Sequence, residues 1–199
     1  LIITDEKEYF NIIDLETGKI ERRFSWKRRD YEKAIVKLSN DQSYYIMVSN
    51  SGRIWKKDFN TNEVLNYIGT FDVNRTIAFD ISPRENRIAL TNGYGSYIID
   101  IQNKKIENIL RFKEDPDFRY PGQICFSPDG KEVTASFRNL VVWNTDKGLP
   151  KKDLKGKSVI PNSAVFSPDG KNFLIDCEDN TVRLWDIGSL KETGKIKLD

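Results

Sequence analysis

The chain has 199 residues, 38% hydrophobic and 31% charged, and its 32 basic against 30 acidic residues leave a formal charge of +2. That length supports one sizeable core without a disulfide or metal, the near balance of charge argues against wholesale nucleic-acid or membrane binding, and no apolar run approaches the ~20 residues of a membrane span. Histidine is absent, which removes the commonest general base, the Ser-His and Cys-His nucleophile pairs and the usual zinc ligand.

Taken in order, the chain reads as short strands separated by turn signals. Leu1 begins inside a strand-like run with no charged n-region or cleavage site, so no signal peptide is visible and the expectation is a cytoplasmic chain; the missing initiator Met suggests an excerpt, which leaves an exported precursor open. Strand-like runs cover Leu1 to Thr4, Tyr9 to Asp14 and Lys19 to Phe24. They continue near 33–38, 43–48, 53–59 and 63–68, then near 75–81, 87–91, 96–101 and 105–112. The last two groups fall near 122–126, 132–137, 140–144 and 151–154, and near 162–166, 172–177, 181–186 and 191–198. No segment has the length and 3.6-residue period of a helix.

Two ladders of anchors give the same period. Asp14, Asp58, Asp100, Asn144 and Asp186 close successive third strands at spacings of 44, 42, 44 and 42, and Leu38-Ser39-Asn40-Asp41, Ile81-Ser82-Pro83-Arg84, Phe126-Ser127-Pro128-Asp129 and Phe166-Ser167-Pro168-Asp169 recur at 43, 45 and 40. The turn chemistry has a mechanism. In Ser167-Pro168-Asp169-Gly170 and Ser127-Pro128-Asp129-Gly130, Pro presets the bend, Asp binds nearby backbone, and Gly takes the left-handed position. Asp41-Gln42 and Arg84-Glu85-Asn86 are weaker copies. Tyr44-Tyr45-Ile46-Met47-Val48, Tyr97-Ile98-Ile99 and Leu140-Val141-Val142-Trp143 are continuously apolar, which suits sheets covered on both faces by their neighbours.

With a third strand reading Asp179-Asn180-Thr181-Val182-Arg183-Leu184-Trp185-Asp186, and a second good copy in Val141-Val142-Trp143-Asn144, the chain resembles the WD40 family of β-propellers over essentially its whole length. Elsewhere the Trp-Asp pair is reduced to Ile13-Asp14, Lys57-Asp58 and Ile99-Asp100, and the family's Gly-His pair is absent. Its Asp-His-Ser/Thr-Trp tetrad survives only as Asp179 and Trp185, read as structural, so the stiffening it gives a blade is weaker here.

The resemblance implies an all-β propeller of four-stranded antiparallel blades. Residues 1–25 form three strands of one blade lacking its innermost strand, and four full blades cover about 31–70, 73–112, 120–155 and 160–199. The leading expectation is a fragment of a larger, about seven-bladed propeller, its remaining blades supplied by the same or another chain. The alternative is a five-bladed ring completed by a strand from elsewhere.

In the family's geometry, the loops before each innermost strand and those between second and third strands gather on one face. This places Trp26, Arg28, Arg29, Tyr31, Arg53, Arg75, Tyr94, Phe118, Arg119, Tyr120 and Arg138 together, a basic and aromatic set of the kind that anchors protein interfaces. The implied function is a non-enzymatic interaction scaffold for an acidic or phosphorylated peptide or protein. The rival is a bacterial-type propeller that senses a small ligand or supports catalysis outside these residues. Residue by residue, a solvated loop charge is the plainer reading.

Other features carry less. Trp26-Lys27-Arg28-Arg29 is too short for a nucleic-acid footprint, and Asp30 and Glu32 follow it. Lys147, Lys151, Lys152, Lys155 and Lys157 read as protection of an outer edge strand. Gly93-Tyr94-Gly95 lacks the Lys-Ser/Thr and the helix of a phosphate loop, and Asp115-Pro116-Asp117 and Glu178-Asp179 read as turn acids. Cys125 and Cys177 are expected to be buried free thiols. No catalytic residue, metal or cofactor is assigned.

Overall fold

The computed structural model describes residues 2–4, 9–25, 34–73, 76–92, 95–110, 122–136, 140–153 and 161–198. Among them are nineteen strands and no helix, grouped in two compact units, Leu1–Thr76 and Ile77–Asp199. Every pairing is antiparallel, which follows from short strands joined by tight hairpins.

The first unit holds a three-stranded sheet, β1 (Ile2–Thr4), β2 (Tyr9–Ile13) and β3 (Ile20–Ser25), and a four-stranded one, β4 (Ala34–Leu38), β5 (Tyr44–Ser49), β6 (Arg53–Asp58) and β7 (Val64–Thr70), in sequence order. The second unit holds three more four-stranded sheets. These are β8 (Thr76–Ile81), β9 (Arg87–Asn92), β10 (Gly95–Asp100) and β11 (Lys105–Leu110); β12 (Ile124–Phe126), β13 (Glu132–Ser136), β14 (Leu140–Asn144) and β15 (Pro150–Asp153); and β16 (Pro161–Phe166), β17 (Asn172–Cys177), β18 (Thr181–Asp186) and β19 (Lys191–Lys197). Within each unit, consecutive sheets stack. β9 packs against β12 and β13 against β16, second strand to first strand. In the first unit β1 packs against β4 in the same way, so β1 stands where a second strand stands.

Local chemistry explains both ladders. In the Ser167 turn, Gly170 lies at φ +69° and donates its N–H to the Ser167 carbonyl at 2.9 Å, while Asp169 Oδ1 accepts from Ser167 Oγ at 2.6 Å and from Lys171 N–H at 3.0 Å. The weaker copies keep this geometry at a cost. Gln42 (φ +58°) and Glu85 (φ +56°) take the left-handed position, which disfavours a side chain by about 1–2 kcal/mol. The other ladder marks the turns between third and fourth strands. Asp14, Asp58, Asp100, Asn144 and Asp186 each accept, through a side-chain oxygen, the N–H three residues on (Thr17, Thr61, Asn103, Lys147 and Ser189) at 2.6–2.8 Å. Four residues on, the chain turns left-handed at Gly18, Asn62, Lys104, Gly148 and Leu190. Short acceptors that bond their own backbone are what such a turn requires.

The buried core lies between stacked sheets. In the first unit Phe10, Phe24 and Tyr45 meet with ring centroids 5.1–6.1 Å apart, joined by Met47 and Trp55. In the second, Ala89, Ile98 and Leu110 pack against Phe126, Val133 and the fully buried Trp143, and Leu140 and Val142 pack against Phe173, Ile175, Cys177 and Trp185. Lys57 stands where two of the other repeats carry Trp. Its ammonium reaches Asn62 Oδ1 at 3.1 Å, which also accepts from the Tyr45 hydroxyl, and burial pulls the Lys57 pKa down.

Polar groups tie neighbouring sheets at recurring positions. Asp80, buried on β8, accepts the Phe126 N–H of β12 at 2.7 Å, and Cys125, at the matching place on β12, directs its thiol to the Ala164 carbonyl of β16 at 3.2 Å. Cys177 is buried as expected, whereas Cys125 is only half-buried, which corrects the expectation for that thiol. On the outer strands, Arg22 donates to the Phe59 carbonyl and Asn60 Oδ1 at 3.2 and 2.7 Å, and Asn108, eight residues past its own ladder Asp as Arg22 is, donates to the Thr145 and Asp146 carbonyls at 2.9 and 3.2 Å.

Candidate functional site

Of the eleven residues expected on the loop face, Arg53 is described; Trp26, Arg28, Arg29, Tyr31, Arg75, Tyr94, Phe118, Arg119, Tyr120 and Arg138 lie outside the described residues. The hairpins that would carry such a face can be built from their neighbours. Arg53 begins β6 with an exposed side chain, and its N–H is held by Ser49 Oγ at 3.0 Å, which also meets Ser51 Oγ at 2.9 Å. Gly52 (φ +78°) closes the hairpin on the Ser49 carbonyl, and its own carbonyl accepts the Phe71 N–H of the segment leaving β7, both at 3.0 Å. The approach is so close that a Cβ on Gly52 would stand 2.1 Å from the Phe71 carbonyl oxygen.

The last sheet repeats this tie with different residues. Asn180 (φ +58°) takes the Gly52 place, and its carbonyl accepts the Leu198 N–H at 2.8 Å. Beside it Asp179 accepts from the Thr181 hydroxyl and pairs with Arg183 Nη2 at 2.7 Å, while Arg183 Nη1 meets Glu192 at 3.0 Å and Nε bonds Thr181 Oγ1 at 3.1 Å. Asp179 thus closes its hairpin through Thr181 and Arg183, whereas Trp185 is buried between sheets. In the β9–β10 hairpin, Asn92 Oδ1 accepts the Gly95 N–H at 2.9 Å, over a buried Thr91–Ser96 hydroxyl pair at 3.2 Å. Alternation along a strand was the one signal for the Asp179, Thr181 and Arg183 network, since residues two apart share a sheet face. Nothing in the sequence marked the Gly52–Phe71 contact, which joins different turns of the fold.

The electrostatics of these turns give a testable acid dependence. The Thr181 hydroxyl, with Arg183 next, holds the Asp179 carboxyl below its ordinary value; the Ser43 amide and hydroxyl bring Asp41 down to about 2; and turn hydrogen bonds lower Asp14, Asp58, Asp100, Asp129 and Asp169. Because these pKa values are lower in the folded chain than the ordinary 3.8, their stabilisation is fully present above that value and is lost as pH falls through the folded values. The melting temperature should be level from about pH 7 to 5 and fall between about pH 4 and 2, with a shallower fall for Asp41→Asn. Circular dichroism melts would count against this if the two chains declined with equal steepness.

Among the described residues, no group of three or more His, Cys, Asp or Glu side chains could hold a metal ion, and no helix is long and apolar enough to cross a membrane. The described geometry is that of braced hairpins, able to present side chains in fixed positions.

Comparison with known proteins agrees with the repeat. No protein-family model matches the chain. Apoptotic protease-activating factor 1 of Homo sapiens is 32% identical over 79 residues, 38% of this chain and 6% of that protein, and the Mus musculus protein is 35% identical over 79 residues with the same coverage. MST50-interacting protein 11 of Pyricularia oryzae is 39% identical over 57 residues, 26% of this chain and 18% of that protein. Among solved structures, the β-propeller domain of Myceliophteria thermophila Cps50 (Swd1) superposes with a TM-score of 0.73 at 12% identity, covering 86% of this chain and 57% of that one. The chain therefore spans only a small part of the curated relatives and little more than half of the structural one. With its two ladders and four-stranded sheets, the chain has the fold of part of a β-propeller, and its repeats are similar to those of the WD40 family.

Proposed function

We propose that this WD40-like chain is a non-enzymatic interaction scaffold whose basic and aromatic loop face takes an acidic or phosphorylated peptide or protein. The observation that carries the reading is the bracing of the hairpins. Gly52 O to Phe71 N–H and Asn180 O to Leu198 N–H fix loop ends before any partner arrives, and loops ordered in advance lose less entropy on binding. The Pyricularia oryzae relative is named for an interaction with another protein, which supports a protein partner by analogy of fold.

The same reading makes the chain part of a larger ring of about seven blades. Val165, Leu174, Leu184 and Ile196 are exposed on one face of the last sheet, whereas Ala89, Ile98 and Leu110, the repeat equivalents of the last three, are buried against the next sheet. A further blade, from the same or another chain, would cover them.

The test compares the chain with a variant carrying Arg28→Ser, Arg29→Ser, Arg53→Ser and Arg119→Ser, using fluorescence anisotropy with a polyglutamate peptide and a phosphoserine peptide of equal length. Loss of these charge-assisted contacts should weaken binding by roughly tenfold or more. Binding that is unchanged in the variant, or equally strong to a polylysine peptide, would reject the loop face as the site.

A further inference from the structure

We propose that the Lys57 amine is an acylation site, taking a small acyl group such as acetyl from a thioester, and that the uncharged amide so formed tightens the contact between the first unit's two sheets. Lys57 lies opposite Tyr45 in the regular β5–β6 pairing, two residues on from Trp55, which lies opposite Met47. Residues two apart share a sheet face, and Tyr45, Met47 and Trp55 belong to the core formed with Phe10, Ile12 and Phe24 of the first sheet. The lysine therefore faces the contact between the sheets. Trp143 and Trp185 fill the equivalent place in two other repeats, both buried, bulkier and uncharged. A half-buried ammonium is the exception at this position.

Its surroundings are neutral. Among the described residues no carboxylate pairs with Lys57, whereas Lys131 and Lys151 meet Asp129 and Glu132. The Lys57 ammonium donates to Asn62 Oδ1 at 3.1 Å, an oxygen shared with the hydroxyl of the buried Tyr45. Asp58, the next residue, belongs to the opposite face, and its Oδ1 is occupied by the Asn60 and Thr61 amides, each at 2.8 Å. Burial without a counter-charge pulls the Lys57 pKa down, which leaves more of the amine as the free nucleophile. The same neighbours select the reaction. Carbon dioxide would leave a carbamate anion in a site that disfavours charge, and an imine from an aldehyde would either lose the N–H that Asn62 accepts or, once protonated, restore the charge. An amide is uncharged and keeps one N–H for Asn62 Oδ1. In the step itself, the unprotonated amine attacks the thioester carbonyl carbon, the C–N bond forms as the C–S bond breaks, and the departing thiolate takes up the proton that the nitrogen releases.

The experiment exposes the folded chain to acetyl-coenzyme A at about pH 8, where ordinary lysines are protonated, and follows each lysine by peptide mass spectrometry. Acetylation should start at least about fivefold faster at Lys57 than at the exposed Lys105 and Lys147, and unfolding in urea should abolish the difference. Asn62→Asp, checked for an unchanged melting temperature, sets a carboxylate beside the amine and holds it protonated, so it should remove the advantage of Lys57. Acetyl-lysine encoded at position 57 should raise the melting temperature by roughly 1–3 °C. The same group encoded at position 147, or Lys57→Arg, which keeps the charge, should give no rise. A rate at Lys57 no greater than at the exposed lysines, an advantage that persists in urea, or undiminished acetylation in Asn62→Asp would overturn the proposal. So would a melting temperature that falls with acetyl-lysine at position 57, since the amide would then loosen the contact between the sheets.

Discussion

Trp143→Ala should destabilise the chain by about 3–5 kcal/mol, the range for emptying a buried aromatic site. Trp143 is 0% exposed and lies where β14 faces the sheet of β8 to β11, among Ala89, Ile98, Leu110, Val133 and Ala135. The surrounding positions are small or already engaged, so little can move in to fill the space, and the cavity term is retained in full. Because two sheets share that side chain, the loss should loosen their contact as well as the strand itself. Urea unfolding followed by far-UV circular dichroism measures the change without relying on the removed fluorophore. Leu174→Ala is the control. Leu174 is 45% exposed, and its loss should cost less than about 1 kcal/mol. Equal effects of the two substitutions would mean that Trp143 is not the packing centre described.

Gly52→Ala should cost roughly 2–5 kcal/mol. About 1–2 kcal/mol comes from a side chain at left-handed φ, and about 1–3 from the forced shift of neighbouring backbone, since the new Cβ meets the Phe71 carbonyl oxygen at 2.1 Å and Val73 Cγ2 at 3.0 Å. Gly18→Ala separates the two contributions. Gly18 has φ +66° with nothing within 4 Å of the added carbon, so it should show the conformational part alone, about 1–2 kcal/mol. The Phe71 amide, which donates to Gly52 O, should exchange with solvent faster in Gly52→Ala. If both substitutions cost the same and Phe71 exchange is unaltered, the hairpin is not braced in this way. For the proposed loop face the consequence is direct, since Arg53 follows Gly52 and would lose its fixed place.

The network around Arg183 illustrates why residue type alone misleads about a site. A sequence reading sees an arginine in a third strand and an acid in the preceding turn. In the structure Arg183 is held by Asp179, Glu192 and Thr181 at once, so its charge is spent within its own sheet. Arg22 is similarly committed, to the Phe59 carbonyl, Asn60 and the Phe59 ring at 4.9 Å. Basic side chains in this chain must be sorted by what they already touch before any is offered to a partner.

By itself, the sequence determined the repeat, the strand order and the turns, because these depend on short-range chemistry: Pro and Gly in hairpins, Asp and Asn bonding their own backbone, and continuous apolar runs. The observed bounds of β17, Asn172–Cys177, and β18, Thr181–Asp186, coincide with those expected from pattern alone. Tertiary structure decided what no local pattern encodes. It tied Gly52 to Phe71 across two turns, bonded Arg22 and Asn108 to the following sheets, set Lys57 against Asn62 where two other repeats bury a tryptophan, and left the β7 strand itself uncharged and exposed. Each is a contact, or an exposure, between segments distant in the chain. Their energetics depend on distance and burial, which residue order does not contain.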